Sequence, residues 1–581
     1  MYFSGSFMGR GGCVDRDGGT MGLFSTKGLL ITGAAIFAIG CSSSSAPTSS
    51  GAVGSDGLPV PTPTPVVAVA PSGSNGGTLT LVATAKIPHR DVHQEVQETL
   101  TAMGPGLAYS RLLRLRSGQG LDRQPNLMLE CDVCQSWRMT NDLAYEFKLR
   151  PGVLWQNVAP VNGRALTAQD IAFSFERLKT PGWPNAPLLS SIGDLIALDD
   201  QTLRVELTLI DADALLALAD GHAKIVAPEV VAEYGDLKEA PVIGTGPWIW
   251  QETGTGTQME FLRNPDYFED SLPFLDKLNI AVMRSEALSE PAEMDKVAAF
   301  QAGQIDVLSV GPSEWEIVGR GGLDFQSVVS RRSGAGVMLA MNSKTLGSGN
   351  TAVRQAVFQA IDPWDYLDTV WSGQGFTSVG IPVRESGWLL DRTEMRQNYF
   401  ADRGKARQLL ADSGLTLPID IEVTVRIDRT GAENLALEER LLADLTAVGF
   451  NPEIRRMNPV QFNDLVMGPS REFQLAVGAV PPTSTTNSFL YGLLHSQGRW
   501  NLSGHEDTEL DSMIEVQAGE FDHLKRQEQL VEIQRRVLDQ AYMFSPVTAA
   551  SRWVFNSDLK GFEPNTALSE YNFWSRTWLE R

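Results

Sequence analysis

Two histidines four residues apart, His89 and His93 in Pro88-His89-Arg90-Asp91-Val92-His93, have the spacing of a metal pair. On a helix they would lie one turn apart and offer two imidazoles to a transition metal. Two ligands alone do not make a site, so solvated histidines are expected and no metal is assigned. Cys131 and Cys134 form a Cys-x-x-Cys pair. A redox pair of this spacing opens a helix after a strand, and zinc needs two more ligands. Neither context surrounds it, so a local disulfide or two inert thiols is expected. Tyr109, Trp155, Trp248, Trp371 and Trp500 are of the type that stacks on a sugar or organic ring, though each is also a natural core residue. No nucleophile elbow, zincin helix or phosphate-cradling loop is present. Gly118-Gln119-Gly120 and Gly244-Thr245-Gly246-Pro247 read as turns, and Pro247 lacks the amide hydrogen a phosphate would use. No spacing of carboxylates singles out an acid–base pair. The chain is therefore expected to be no enzyme and to carry no cofactor.

One cysteine has a sharper context. Lys27 precedes the apolar run Gly28–Gly40, Cys41 follows, and Ser42-Ser43-Ser44-Ser45 comes next. The run is too short to span a bilayer and reads as a secretory signal, with Cys41 as the site of a lipid anchor. Ala38-Ile39-Gly40-Cys41 resembles the lipobox of bacterial lipoproteins, with Ala38 where leucine is commoner; ordinary cleavage leaving Cys41 as a free thiol is the alternative. Residues 1–20 fit no signal, so translation is expected to start at Met21, with the signal at 21–40. Residues 41–76 are Ser/Pro-rich, with Pro-Thr-Pro-Thr-Pro at 61–65. Such a segment is a flexible tether, and about 35 residues of coil reach roughly 30–35 Å. A glycosylated stalk is the other reading.

The 581 residues carry 48 basic and 70 acidic side chains, a net charge of −22. That balance repels phosphate backbones and argues against nucleic acid as a partner. No segment after the tether has the apolar length of a membrane span.

Elements able to position a site alternate between strand and helix. Period-two burial marks strands at 144–149 and 203–209. Thr167-Ala168-Gln169-Asp170 looks like a capping box before a helix carrying Ile171, Phe175 and Leu178. The clearest unit lies at 418–457. Ile419, Ile421, Val423, Val425 and Ile427 alternate as a strand. Leu437, Leu441, Leu445 and Val448 then repeat at helical spacing, Gly449 stops the helix, and Asn451 opens the next extended segment. Strand, helix and strand of this length make a crossover in an α/β sheet. Further helices are expected at 351–361, 402–413 and 523–540.

Five segments, in order, resemble the family of extracytoplasmic solute-binding proteins that feed peptide, nickel and oligosaccharide ABC importers, family 5. They are Leu149–Trp155 with Asn162–Leu178; Gly244–Trp248 with Arg263–Phe268 and Leu272–Lys277; Ala298–Val307; Val353–Ala356 with Ala360–Asp362; and Asn501–His505. The resemblance implies a two-lobed α/β, periplasmic-binding-protein-like fold (type II, the large cluster C form) with a ligand cleft between lobes. Lobe one would be 77–320 plus 548–581, and lobe two 321–547. It further implies a monomeric receptor, held outside the cytoplasm by lipid on Cys41, that closes on a small polar solute or peptide and hands it to permease and ATPase subunits.

The resemblance also places residues at the cleft. His89, Arg90 and Asp91 fall in the loop after the opening strand, which borders the cleft in the family. Asn342 matches a position near the hinge. Trp500 and Asn501 lie in a loop after the cleft segment, and Tyr109 and Trp248 are the other stacking candidates. In peptide-binding members, an aspartate in a lobe-two loop pairs with the peptide amino terminus. Here that stretch, Phe473–Phe489, holds Val480 and Thr483 but no Asp or Glu. A buried ammonium without a counter-charge is uncompensated, whereas Thr, Ser and Asn suit a neutral or hydroxyl-rich ligand. The expected ligand is thus an oligopeptide or another polar organic solute. An oligosaccharide or metal chelate, a transporter-independent sensor, and a hydrolase are the alternatives.

Overall fold

Alternating apolar side chains build the sheets. In the strand Ile419–Arg426 the residues Ile419, Ile421, Val423 and Val425 are all buried. The helix Ala432–Val448 returns over them with Leu437, Leu441 and Leu445 buried, each contributing about 1.5–3 kcal/mol by leaving water. Gly449 follows at φ +119°, a conformation open to glycine, and lets the chain turn directly into the strand Phe450–Met457. The two strands pair in parallel from Ile419↔Phe450 to Arg426↔Met457. The expected crossover is therefore present, its second strand starting one residue early and Ile427 lying outside the described residues.

The computed structural model describes residues 73–83, 86–117, 127–253, 258–283, 292–322, 324–345, 347–426, 432–468, 470–481, 483, 485–565 and 572–581. Residues 1–72, with the expected signal, Cys41 and nearly all of the tether, lie outside them, as does Gly118-Gln119-Gly120. All described residues belong to one compact unit. Among them, no helix is long and apolar enough to cross a membrane.

Three larger sheets organise the chain. The first has the order Thr78–Ala83, Lys277–Val282, Gln258–Arg263, Trp248–Gln251. The second is an antiparallel sheet of Cys134–Asn141, Ala144–Leu149, Thr202–Leu207 and Ile192–Asp199. The helix Ala168–Leu178 follows Thr167, whose amide donates to Asp170 Oδ2 at 2.9 Å. The third, mixed sheet runs Val307–Val310, Met543–Asn556, Phe325–Met341, Leu475–Ala479, Ile419–Arg426, Phe450–Met457, with Phe376–Ser378 also pairing Met543–Asn556. The remaining expected helices are present as Thr351–Ala360, Arg403–Asp412 and His523–Asp539.

Apolar packing separates the chain into two bodies. One core runs from Val337 to Phe544. The other body has a core from Val92 to Ile243 and smaller ones joining Leu79–Val307 to Trp553–Leu579. The long strands Phe325–Met341 and Met543–Asn556 pass from one body to the other as an antiparallel pair. Their register breaks between Arg331 and Gly336, and Gly334 and Gly336 have φ of +77° and +120°. A broken ladder on glycines, between two packed cores, is where a hinge bends with least loss of packing.

Candidate functional site

The loop after Thr78–Ala83 forms bends and turns over residues 86–94 and no helix, which corrects the picture of His89 and His93 on one helical face. Its centre is Asp91, fully buried. Arg177 grips it with two bonds, Nη1 to Oδ1 at 3.0 Å and Nη2 to Oδ2 at 2.5 Å. The amides of His93 and Leu237 donate to the same carboxylate at 3.1 and 3.2 Å, and Gln94 Nε2 at 2.9 Å. Burial opposes ionisation here, but the hydrogen bonds and charge of Arg177 outweigh it and hold the carboxyl at about 2. His93 is also fully buried. Its Nε2 lies 2.9 Å from the Lys224 carbonyl and its Nδ1 3.1 Å from Arg177 Nη1. Burial first, and the Arg177 charge second, push the imidazole down to about 4. With both ring nitrogens engaged, His93 has no lone pair for a metal. His89, half-buried, accepts from the Asp91 amide through Nδ1 at 3.2 Å. Arg90 bonds the Ala240 carbonyl at 3.3 Å and pairs with Glu252. Among the described residues, no group of three or more metal-type side chains converges.

Most of the other side chains singled out in the sequence pack into the fold. Trp248 is 1% exposed and Tyr109 5%, each inside a lobe-one core, which leaves little ring surface for stacking. Burial raises the Tyr109 hydroxyl above the usual phenol range. Trp155 is likewise core, and Trp371 packs partly buried against the Val337–Phe544 core. Trp500 packs against that same core, under the Arg499 guanidinium at 5.4 Å. Asn342 is buried, donating to the Arg471 carbonyl at 2.7 Å and accepting the Lys344 amide at 2.9 Å. Asn501 is buried and ties its own loop, donating to the Ser496 and His505 carbonyls at 3.1 and 2.9 Å. Both asparagines brace loops. Cys131 and Cys134 are disulfide-bonded across the short turn between two strands. The glycines of Gly244-Thr245-Gly246-Pro247 let that turn pass against Ala108: a Cβ on Gly244 would sit 1.9 Å from the Ala108 carbonyl oxygen.

The lobe-two loop behaves differently. Val480 is buried, and its amide donates to the Gly336 carbonyl at 3.0 Å, which ties the loop to the register break. Thr485 Oγ1 accepts the Ser488 amide at 3.1 Å, starting the helix Thr486–Phe489, and Thr486 Oγ1 donates to the Pro382 carbonyl at 2.6 Å. The hydroxyl-rich tract is thus largely engaged in its own folding. Thr483 is the exception. Its Oγ1 is buried and bonded to nothing among the described residues, while its neighbours Pro482 and Ser484 lie outside them. Gln374, 4% exposed, similarly keeps an Nε2 with no partner among the described residues.

The sequence does not reveal a cluster joining the two bodies: Asp211, Asp213, Gln517 and Arg526, with Asn487 of the Phe473–Phe489 stretch. Its members are brought together from positions up to 313 apart, so no local pattern pairs them.

Residues 129–501 match the family model of bacterial extracellular solute-binding proteins, family 5. The chain is 26% identical over 450 residues to heme-binding protein A of Haemophilus influenzae, covering 71% of this chain and 76% of that protein. It is 26% identical over 408 residues to the probable di/tripeptide-binding protein 5 of Pseudomonas aeruginosa, covering 65% and 72%. Among solved structures, the substrate-binding protein CtaP of an ABC transporter from Listeria monocytogenes superposes with a TM-score of 0.73 at 18% identity, covering 87% of this chain and all of that one. The periplasmic binding protein DppA of Helicobacter pylori, in complex with the peptide STSA, gives 0.67 at 21% identity, covering 87% and 99%.

Proposed function

Because the chain belongs to the bacterial extracellular solute-binding proteins of family 5, we propose that it is the substrate-binding receptor of an ABC importer. It captures an oligopeptide or another polar organic solute by lobe closure and delivers it to a membrane permease driven by an ATPase. The observation that carries this reading is the pair of long strands, Phe325–Met341 and Met543–Asn556, passing between two separately packed bodies with their register broken on Gly334 and Gly336. Ligand contacts on both sides of such a joint favour the closed arrangement. Lobe one is taken as 77–320 with 548–581, and lobe two as 321–547. Lipid on Cys41 holds the receptor at the membrane, and the tether gives it reach.

The lobe-two loop sets the ligand chemistry. Thr483 brings an unpaired hydroxyl, and no carboxylate stands in Phe473–Phe489 to meet an ammonium. This favours ligands recognised by neutral polar groups, with oligosaccharides as the second reading. Of the earlier candidates, Thr483 is kept as a ligand contact. The buried side chains of Asp91, Tyr109, Trp248, Asn342, Val480 and Asn501 are assigned to the fold.

A thermal-shift screen of peptides, oligosaccharides and metal chelates on the purified protein tests the proposal. Ligand at a hundred times its Kd stabilises the folded state by about 2.7 kcal/mol, a readable rise in Tm. A flat response across the panel, or turnover of a panel member, would sink it.

A further inference from the structure

The two bodies are joined by more than the crossing strands. Asp213 directly precedes the lobe-one helix Ala214–Ala219 and, instead of capping it, reaches into lobe two, where its Oδ1 accepts from Arg526 Nη1 at 2.7 Å and its Oδ2 from the Asn487 amide at 2.8 Å. Asp211 Oδ1 accepts from Asn487 Nδ2 at 2.7 Å. Arg526 completes its fork on Asn487 Oδ1 at 2.9 Å and Gln517 Oε1 at 3.3 Å, with its guanidinium 5.6 Å from the Trp388 ring centre. The Ala212 amide donates to the Ala518 carbonyl at 2.9 Å. Asp213 is 2% exposed and Arg526 4%. A fully bonded buried charge pair between two bodies specifies one geometry, because any other angle leaves its members unpaired.

We propose that Asp213, Asn487 and Arg526 are positioning residues for closure, a polar joint that fixes the angle at which lobe one meets lobe two. The proposal rests on the closure reading above, but its test needs neither ligand nor transporter. In the joined arrangement Asp213 neutralises Arg526. When the lobes part, each hydrates, so the intact pair sets the angle more than the strength of closure. Neutralising one partner is different: Asp213→Asn leaves the Arg526 charge buried without its bonded carboxylate and beside the Arg384 cation that Asp213 also offsets, and the lobes separate to hydrate it. Replacing both with apolar side chains of similar size, Asp213→Leu with Arg526→Met, removes the penalty and lets them rejoin.

Small-angle scattering and amide hydrogen exchange on the ligand-free full chain read this directly. In the unmodified protein, the Ala212 amide should be protected. Asp213→Asn should raise its exchange by roughly a hundred- to a few thousandfold, the range expected when a buried charge loses its partner, and enlarge the radius of gyration. Amides of the Leu339–Val477 ladder should stay protected, which distinguishes opening from unfolding. The apolar double variant should restore both values. A second route leaves the charges intact: a Cβ on Gly519 would lie 3.2 Å from Ile210 Cγ2, so Gly519→Val should wedge the joint and raise Ala212 exchange as well. An Ala212 amide already unprotected in the unmodified protein, single variants with unchanged exchange and scattering, or a double variant as open as the single one would overturn the proposal.

Discussion

The loop after the first strand of lobe one and the loop entering the helix Thr486–Phe489 of lobe two make an instructive pair. The first is rich in charge, and the charge is structural: Asp91 and Arg177 meet out of water, with His93 locked beside them. The second has no acidic residue, yet it contributes Asn487 to the joint between lobes and keeps Thr483 Oγ1 unpaired among the described residues. Residue type alone points to the first loop as the chemical one. The difference shows that a group able to bind a ligand has to be left unsatisfied by the fold, and the charged loop leaves little over.

The largest expected effect comes from breaking the charged loop. Arg177→Ala strands the Asp91 carboxylate and should cost about 3–5 kcal/mol of stability in urea denaturation, as buried pairs do when one partner is removed. A loss under about 1 kcal/mol would mean that the pair is not structural. Acid should do the same reversibly. The folded His93 pKa of about 4 lies below its ordinary 6.5, so the unfolded chain binds a proton first. Stability present above pH 6.5 is therefore lost as pH falls to 4, on the order of 3 kcal/mol. Asp91, at about 2 against 3.8, extends the loss from pH 4 to pH 2. A His93→Gln variant, titrated by denaturation at pH 7, 5 and 4, should show a flatter profile over the upper window; an unchanged slope would assign the loss elsewhere.

The lobe-two loop should respond oppositely. Thr483→Val should leave the melting temperature nearly unchanged while weakening whichever ligand the screen identifies by about 1 kcal/mol, one neutral hydrogen bond. A stability loss without an affinity change would make Thr483 structural and erase the contrast. The smallest effect belongs to the exposed contact between lobes in which Ser313 Oγ and amide donate to Glu433. Glu433→Gln should shift stability by less than about 0.5 kcal/mol.

Much of the fold was legible because it is written in local periods. The crossover at 418–457, the strand at 144–149 and the helices at 351–361 and 523–540 depend on residues next to one another. Tyr109, Trp248, Asn342 and Asn501 are buried in the fold, and the sequence alone does not separate that from a cleft position, because an aromatic or amide side chain reads alike whether it faces a ligand or a carbonyl of its own fold. His93, expected to be solvated, is fully buried instead, because the chain turns there and carries its ring against Arg177 and the Lys224 carbonyl. The Asp213–Arg526 pair left no trace in the sequence, since 313 residues separate its members and the period that marks the helix 523–540 does not say what Arg526 meets.

As proposed, the lobe-two loop recognises its ligand without a counter-charge for an ammonium. Calorimetric titration of the purified protein with short peptides, each compared with its N-acetylated and deaminated forms, tests it most directly. Acetylation should leave affinity within about threefold. A free amino terminus binding more than about a hundredfold tighter than both its acetylated and its deaminated forms would contradict it, because the deaminated form adds no bulk and a loss of that size then reports recognition of the ammonium.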